Sequence, residues 1–128
     1  MNSVSDEDRI RNTIARFCQL LDDRRFDEWS RTFTEDGAFG RFDGRAAIHR
    51  MILGGELALQ PELKRKHTVA NVVIDVQGDT AEVVSDLVMF DRVGDSPWTI
   101  RLGRYYDQLA RQASGEWLFT RRQLDWFD

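Results

Sequence analysis

Cysteine occurs once in these 128 residues, at Cys18, so no intramolecular disulfide can staple the fold and a reducing, cytoplasmic setting is expected. Proline occurs twice, at Pro61 and Pro97, each expected at the approach to a strand. Histidine is equally scarce, with His49 and His67 alone. A metal site needs three or more convergent ligands, so no metal is expected. There is no glycine-rich phosphate loop, dinucleotide fingerprint or nucleophile elbow, and no cofactor is expected. No apolar run is long enough to cross a bilayer, and the opening MNSVSDEDRIR lacks the apolar core of a secretory signal. A basic surplus is missing as well. The formal net charge is −4, which argues against nucleic acid as a partner. With 41% hydrophobic and 31% charged residues, the chain reads as one soluble globular domain over residues 1–128.

The first half has helical periodicity. Ile10, Ile14, Phe17, Cys18 and Leu21 form one apolar face, with Ser5 as N-cap and Asp6, Glu7 and Asp8 suited to the positive end of the helix dipole. A short second helix is expected through FDEWSRTF, burying Phe26, Trp29 and Phe33. EDGAFGRFDG reads as turn, short strand, turn. Gly44 then opens a third helix, RAAIHRMILGG, that stops at Gly54 and Gly55.

The second half has the pattern of a sheet. TVANVVIDV, the turn QGDT and AEVVSDLVMFDRV predict a long hairpin; WTIRLGRYYDQLAR and WLFTRRQLDWF add two more strands. Short turns cannot make parallel crossovers, so the four strands form an antiparallel meander and the fold class is α+β. The basic run Lys64, Arg65, Lys66 reads as a solvated loop leading to a strand that opens at His67. Along that strand Thr68, Ala70, Val72, Ile74 and Val76 fall on one side, and His67, Val69, Asn71, Val73 and Asp75 on the other. Both faces carry apolar residues. Helices can cover one, and a second copy of the chain is the expected cover for the other, giving a homodimer through the outer sheet face.

A few polar residues sit where packing alone would not put them. At about 100° per residue, Asp22 falls roughly 40° beyond Cys18, at the margin of the apolar face, while Asp23 points to water. Asp22 can lean inward or be a solvated helix-end carboxylate. His67 can line a polar pocket, continue the basic surface or sit in the core bonded to backbone. Were the two to meet, a carboxylate on one imidazole nitrogen would fix the tautomer and leave the other nitrogen free to take a proton. Dehydration, elimination and enolisation need that and no metal. His49, beside Arg50 in the third helix, reads as exposed, and Cys18 as a core thiol. In the third strand of the meander, Arg104, Tyr106 and Gln108 share one face and Arg101, Tyr105 and Asp107 the other. Either set can line a pocket, and cross-strand pairing at a dimer interface explains them equally.

The order LLDDRRFDEWSRTFTEDGAF, GRAAIHRMI, KHTVANVVIDVQGDTAEVVSDLVMF and RYYDQLARQASGEWLFTRRQLDWF resembles the SnoaL-like branch of the nuclear transport factor two-like superfamily, which includes scytalone dehydratase, polyketide cyclases and hexachlorocyclohexane dehydrochlorinase. The resemblance spans roughly residues 5–127. It implies a cone in which a strongly curved antiparallel sheet wraps three N-terminal helices around a pocket. It also implies a catalytic pair. Four residues before Phe26 and eleven before Phe33, the family's aspartate falls on Asp22, and its strand-opening histidine falls on His67. The implied activity is that of a cofactor-independent lyase or isomerase, of dehydratase or cyclase type, acting on a small apolar or aromatic substrate. Phe17, Trp29, Phe39, Val69 and Met89 would form its apolar wall, and Arg104, Tyr105 or Tyr106 would polarise an oxygen. The chain departs from the scytalone dehydratase pattern at two places. Leu21 stands where that pattern has a tyrosine, and a position near Leu87 where it has a second histidine. Those departures leave a second expectation beside the first, a non-catalytic ligand-binding or assembly subunit with the same fold.

Overall fold

Helix α1 (Asp6–Asp22) begins where Ser5 Oγ accepts the Asp8 N–H at 3.1 Å, with three acidic residues in its first turn. It buries Ile10, Ile14, Phe17, Cys18 and Leu21, and also Thr13 and Leu20, against the sheet. Helix α2 (Phe26–Ser30) is shorter than expected, because Phe33 opens strand β1 (Phe33–Phe39), which also takes in Glu35, Asp36 and Gly37. After β2 (Phe42–Asp43), Gly44 caps α3 (Arg45–Leu53), which stops at Gly54. A fourth helical turn, α4 (Glu56–Leu59), has no apolar periodicity long enough to show in the sequence. The computed structural model describes residues 4–128, and these four helices are counted among them.

The remaining strands are β3 (Leu63–Gln77), β4 (Thr80–Val93), β5 (Thr99–Arg111) and β6 (Trp117–Trp126). They form the expected antiparallel meander, and Gly78 at φ +64° makes the tight β3–β4 turn. The sheet has six strands, not four, in the order β2-β1-β6-β5-β4-β3. Strand β1 joins the meander beside β6 in parallel. That pairing is possible because more than half of the chain separates the two strands, which a short turn could not do. Register shifts in the β1–β6, β3–β4 and β5–β6 pairs add local twist, and the curved sheet wraps the helices as in the nuclear transport factor two-like cone.

Strand β3 corrects two expectations. It starts at Leu63, four residues before His67, so the basic run is part of the strand rather than a loop. Lys64 and Lys66 point outward, while Arg65 turns in and is bonded to Asp91 on β4 at 2.8 Å through both Nε and Nη2. A bulge at Asn71 then breaks the alternation. Its φ is +53°, and the register with β4 slips between Ala70 and Val73. One extra residue moves every later side chain to the opposite face. Leu63, His67 and Val69 point inward before the bulge, and Val72, Ile74 and Val76 after it. The strand's apolar residues are therefore mostly on one face, with Val73 left outside.

The bulge requires a left-handed backbone, which asparagine tolerates and β-branched residues do not. Replacing Asn71 by Val is expected to lower stability by about 1–2 kcal/mol, whereas Asn71→Gly should stay within about 0.5 kcal/mol of the parent. Urea denaturation of the two variants checks this ordering.

Candidate active site

Strand β3 is an edge strand, so its outer backbone groups have no neighbouring strand. The C-terminal end of α1 lies against that edge. The Asp22 carboxylate accepts the backbone N–H of His67 through both oxygens, at 3.2 and 3.1 Å, and approaches ring Nδ1 at 2.6 Å through Oδ1. Both side chains are nearly sealed from solvent, at 9% and 7% exposure. A carboxylate can only accept, so Nδ1 carries the hydrogen, and in the neutral ring Nε2 then has the free lone pair. Among the described residues Nε2 makes no hydrogen bond, and it is not one of the fully enclosed polar atoms left without a partner. His67 lines a cavity of about 400 Å³ between α1 and β3, together with Asp22, Cys18, Val69 and Val72.

The contact between helix and strand is held in place by Arg24. This residue has a left-handed φ of +59°, and its guanidinium donates to the carbonyl oxygens of Leu57, Gln60 and Leu63. Those three acceptors span the end of α4 and the first residue of β3. The turn after Asp22 is thereby tied to the segment that delivers His67, and the bonds compensate a backbone conformation that costs arginine about 1–2 kcal/mol.

Inside the cone the residues expected to form an apolar wall are, apart from Val69, packed in the core and not in the cavity lining. Phe17 and Trp29 are fully buried, with ring centroids 5.3 Å apart, and Phe17 also meets Phe33, Phe39, Tyr105 and Phe119. Met89 is buried opposite His67 in the β3–β4 register. Of the predicted residues, Asp22, His67 and Val69 line the cavity; Phe17, Trp29, Phe39, Met89 and Tyr105 belong to the core around it. Leu87, where the scytalone dehydratase pattern has histidine, is buried in the same core.

Arg104 and Tyr106 are elsewhere. Strand alternation carries them to the convex face, where Arg104 is bonded to Asp86 at 2.8 Å and Tyr106 is 44% exposed. They are removed from the pocket, and the face that points inward carries Tyr105 and Asp107. His49 is only partly exposed on α3. Among the described residues no group of three or more His, Cys, Asp or Glu side chains has the arrangement of a metal site.

The sequence reading missed Arg122. Its guanidinium is completely buried on β6, bonded to Asp107 at 2.9 and 3.3 Å, and lies over the rings of Tyr105, Phe17 and Phe119 at 3.4, 4.3 and 4.4 Å. Its Nη1 is enclosed without a partner, as are Trp29 Nε1 and Ser85 Oγ. The signal was present, since Asp107 alternates to the same face as Tyr105 and Arg122 stands opposite it in the β5–β6 register. Sequence alone gives no reason to choose Arg122 over its neighbour Arg121. Burial pushes the Asp107 carboxyl up from its ordinary range, while Arg122 pulls it back. Burial likewise raises the Cys18 thiol to about 11, opposed by the charge of Arg122 and reinforced by that of Asp22. Cys18 is therefore an inert, protonated wall residue. The Tyr105 phenol is pushed well above its usual value by burial, so it stays a neutral hydroxyl.

The family profile of the SnoaL-like domain matches residues 2–123. An uncharacterized protein of Mycobacterium tuberculosis is 29% identical over 127 residues, covering 93% of this chain and 84% of that protein. Among solved structures, a nuclear transport factor two-like protein with a cystatin-like fold from Novosphingobium aromaticivorans is 28% identical with a TM-score of 0.85, covering 96% of this chain and 82% of the other. A candidate scytalone dehydratase from the same organism is 25% identical with a TM-score of 0.79, covering 93% and 82%.

The Asp107–Arg122 pair yields a stability test. Asp107→Ala leaves a buried guanidinium unpaired and is expected to cost about 3–5 kcal/mol. The double replacement Asp107→Leu with Arg122→Met should recover most of that loss. Chemical denaturation of the two variants measures the difference.

Proposed function

The chain belongs to the SnoaL-like domain family, and on that premise we propose that it is a cofactor-independent small-molecule lyase or isomerase in which His67, oriented by Asp22, is the general base. The observation that carries this reading is the 2.6 Å bond between Asp22 and ring Nδ1, beside a cavity of about 400 Å³. That cavity lies within the range of small-molecule sites. Likeness to a candidate scytalone dehydratase supports the same reaction class.

The reaction follows from the tautomer. Nε2 takes a proton from carbon next to a carbonyl, and the electron pair moves toward the carbonyl oxygen as an enolate. Asp22 stabilises the imidazolium that forms. In a dehydration the enolate expels a β-hydroxyl, which leaves as water with the proton from Nε2. In an isomerisation the same proton returns to a different carbon. Arg122 and Tyr105 are enclosed in the core outside the cavity lining, so in this reading the developing oxyanion is not held by them.

The packed aromatic interior favours a second reading, a ligand-binding or assembly subunit in which the Asp22–His67 bond only joins helix to strand. A panel of aryl ketones and β-hydroxy ketones, incubated in deuterated buffer and followed by proton NMR, distinguishes the two. The enzyme reading expects catalysed water loss or deuterium uptake that falls by about two to four orders of magnitude in His67→Ala and substantially in Asp22→Asn. Equal rates in His67→Ala and the parent would overturn it.

The convex sheet face is the proposed contact for a second copy. Its cross-strand pairs are Val84–Tyr106, Asp86–Arg104, Val88–Leu102 and Phe90–Ile100, and Ile100 and Leu102 are 63% and 46% exposed. A central ion pair flanked by apolar residues can meet itself across a two-fold axis. Sedimentation at micromolar concentration is expected to give a dimer that Leu102→Glu dissociates; a parent that sediments only as a monomer would contradict this.

A further inference from the structure

The groove beside His67 carries a charge pattern that the proton-transfer chemistry does not need. Its floor is apolar, with Ile14, Cys18, Val69 and Val72. Its edge carries two cations, Arg11 on α1 and Lys66 on β3. Among the described residues Lys66 makes no ion pair. Arg11 has only two carboxylate neighbours, Glu7 and Asp8, at 3.8 and 3.6 Å, beyond hydrogen-bond distance, and its side chain is 48% exposed. Asp22 is the one acid in the lining, and its oxygens are already engaged by the His67 backbone and ring. Two cations with free bonding capacity therefore border an apolar slot in a protein whose formal net charge is −4. A neutral apolar substrate would gain nothing from them. An anionic group would find charge-assisted donors at the lip while its apolar body covers the floor.

Resting on the reading of Asp22 and His67 as the acid–base pair, we propose that this groove selects an apolar acid, a substrate with a ring or chain body and one carboxylate or phenolate held by Lys66 or Arg11. The two cations mark different places. Lys66 is the neighbour of His67 in β3, at the reacting end. Arg11 lies eleven residues before Asp22 on the same helix, about 16 Å along its axis. A short acid can reach Lys66 with its reacting carbon at His67, and an elongated one can reach Arg11.

The test uses naphthalene-2-carboxylate and its neutral isostere naphthalene-2-carboxamide. Both are titrated by calorimetry into the parent, Lys66→Gln, Arg11→Gln, the double variant and His67→Ala. The parent is expected to bind the carboxylate at least about tenfold more tightly than the amide. That ratio should fall toward one in the double variant, and the single variants assign the carboxylate to one end of the groove. His67→Ala should keep the preference, because the base is not the anion's partner. Equal affinity for acid and amide in the parent, or a preference that survives the double variant, would overturn the proposal. These outcomes are separate from the catalytic reading, which stands or falls on the turnover of His67→Ala. Arg11 and Lys66 are outside the core, and circular dichroism of each variant checks that the fold is unchanged.

Discussion

Three hydrogen-bond contacts from one carboxylate join the two halves of this molecule. At the end of α1, Asp22 satisfies a β3 N–H that no neighbouring strand can reach and at the same time grips the imidazole of that residue. The backbone contact explains why an aspartate belongs at this helix end even without chemistry. The ring contact is what gives the arrangement chemical meaning, because it decides which imidazole nitrogen faces the cavity. Arg24 fixes the same junction from the other side, holding the start of β3 against the turn that follows α1. A displaced α1 would therefore disturb the strand edge and the histidine together.

The cone has two interiors of different character. One is a dry aromatic cluster around Phe17, with the Asp107–Arg122 pair enclosed in it. The other is the groove between α1 and β3, apolar on its floor and cationic at its lip. Buried ion pairs are weak sources of stability, since desolvation offsets most of their attraction. The Arg122 guanidinium is fully enclosed, keeps one nitrogen without a partner and lies over the rings of Phe17 and Tyr105. A second cavity, of about 330 Å³, lies on the opposite flank of α1 between α2 and β6; in its lining Arg16 is paired with Glu116, while Glu28 is bonded to Arg25 outside it.

Much of this was legible in the residues. The apolar face of α1, the Gly44-led helix and the four-strand meander all follow from periodicity and turn chemistry; spacing left Asp22 and His67 open, and only the resemblance to the SnoaL-like family paired them. What failed, failed for local physical reasons. The basic run Lys64–Lys66 reads as a loop because charge is usually solvated, yet an edge strand can turn two of its lysines outward and pair the arginine between them. The alternation along β3 was misread past Asn71, since one left-handed residue reverses every face that follows; an asparagine inside a valine-rich strand is the only sequence sign of it. Parallel pairing of β1 with β6 joins residues more than half the chain apart and leaves no local trace. Arg122 was passed over because its partner lies on another strand, and the choice between Arg121 and Arg122 depends on a register that only the folded sheet defines.

The central claim is that Asp22 holds His67 as the Nδ1–H tautomer with Nε2 open to substrate. Long-range nitrogen–proton NMR of the two histidine rings tests it directly, with His49→Gln to assign the signals. The account predicts that neutral His67 shows a protonated Nδ1, with its proton far downfield and slow to exchange, and an unprotonated Nε2. In Asp22→Asn that downfield proton should vanish and the two tautomers should mix. A wild-type ring protonated mainly at Nε2, or a spectrum unchanged by Asp22→Asn, would contradict the account.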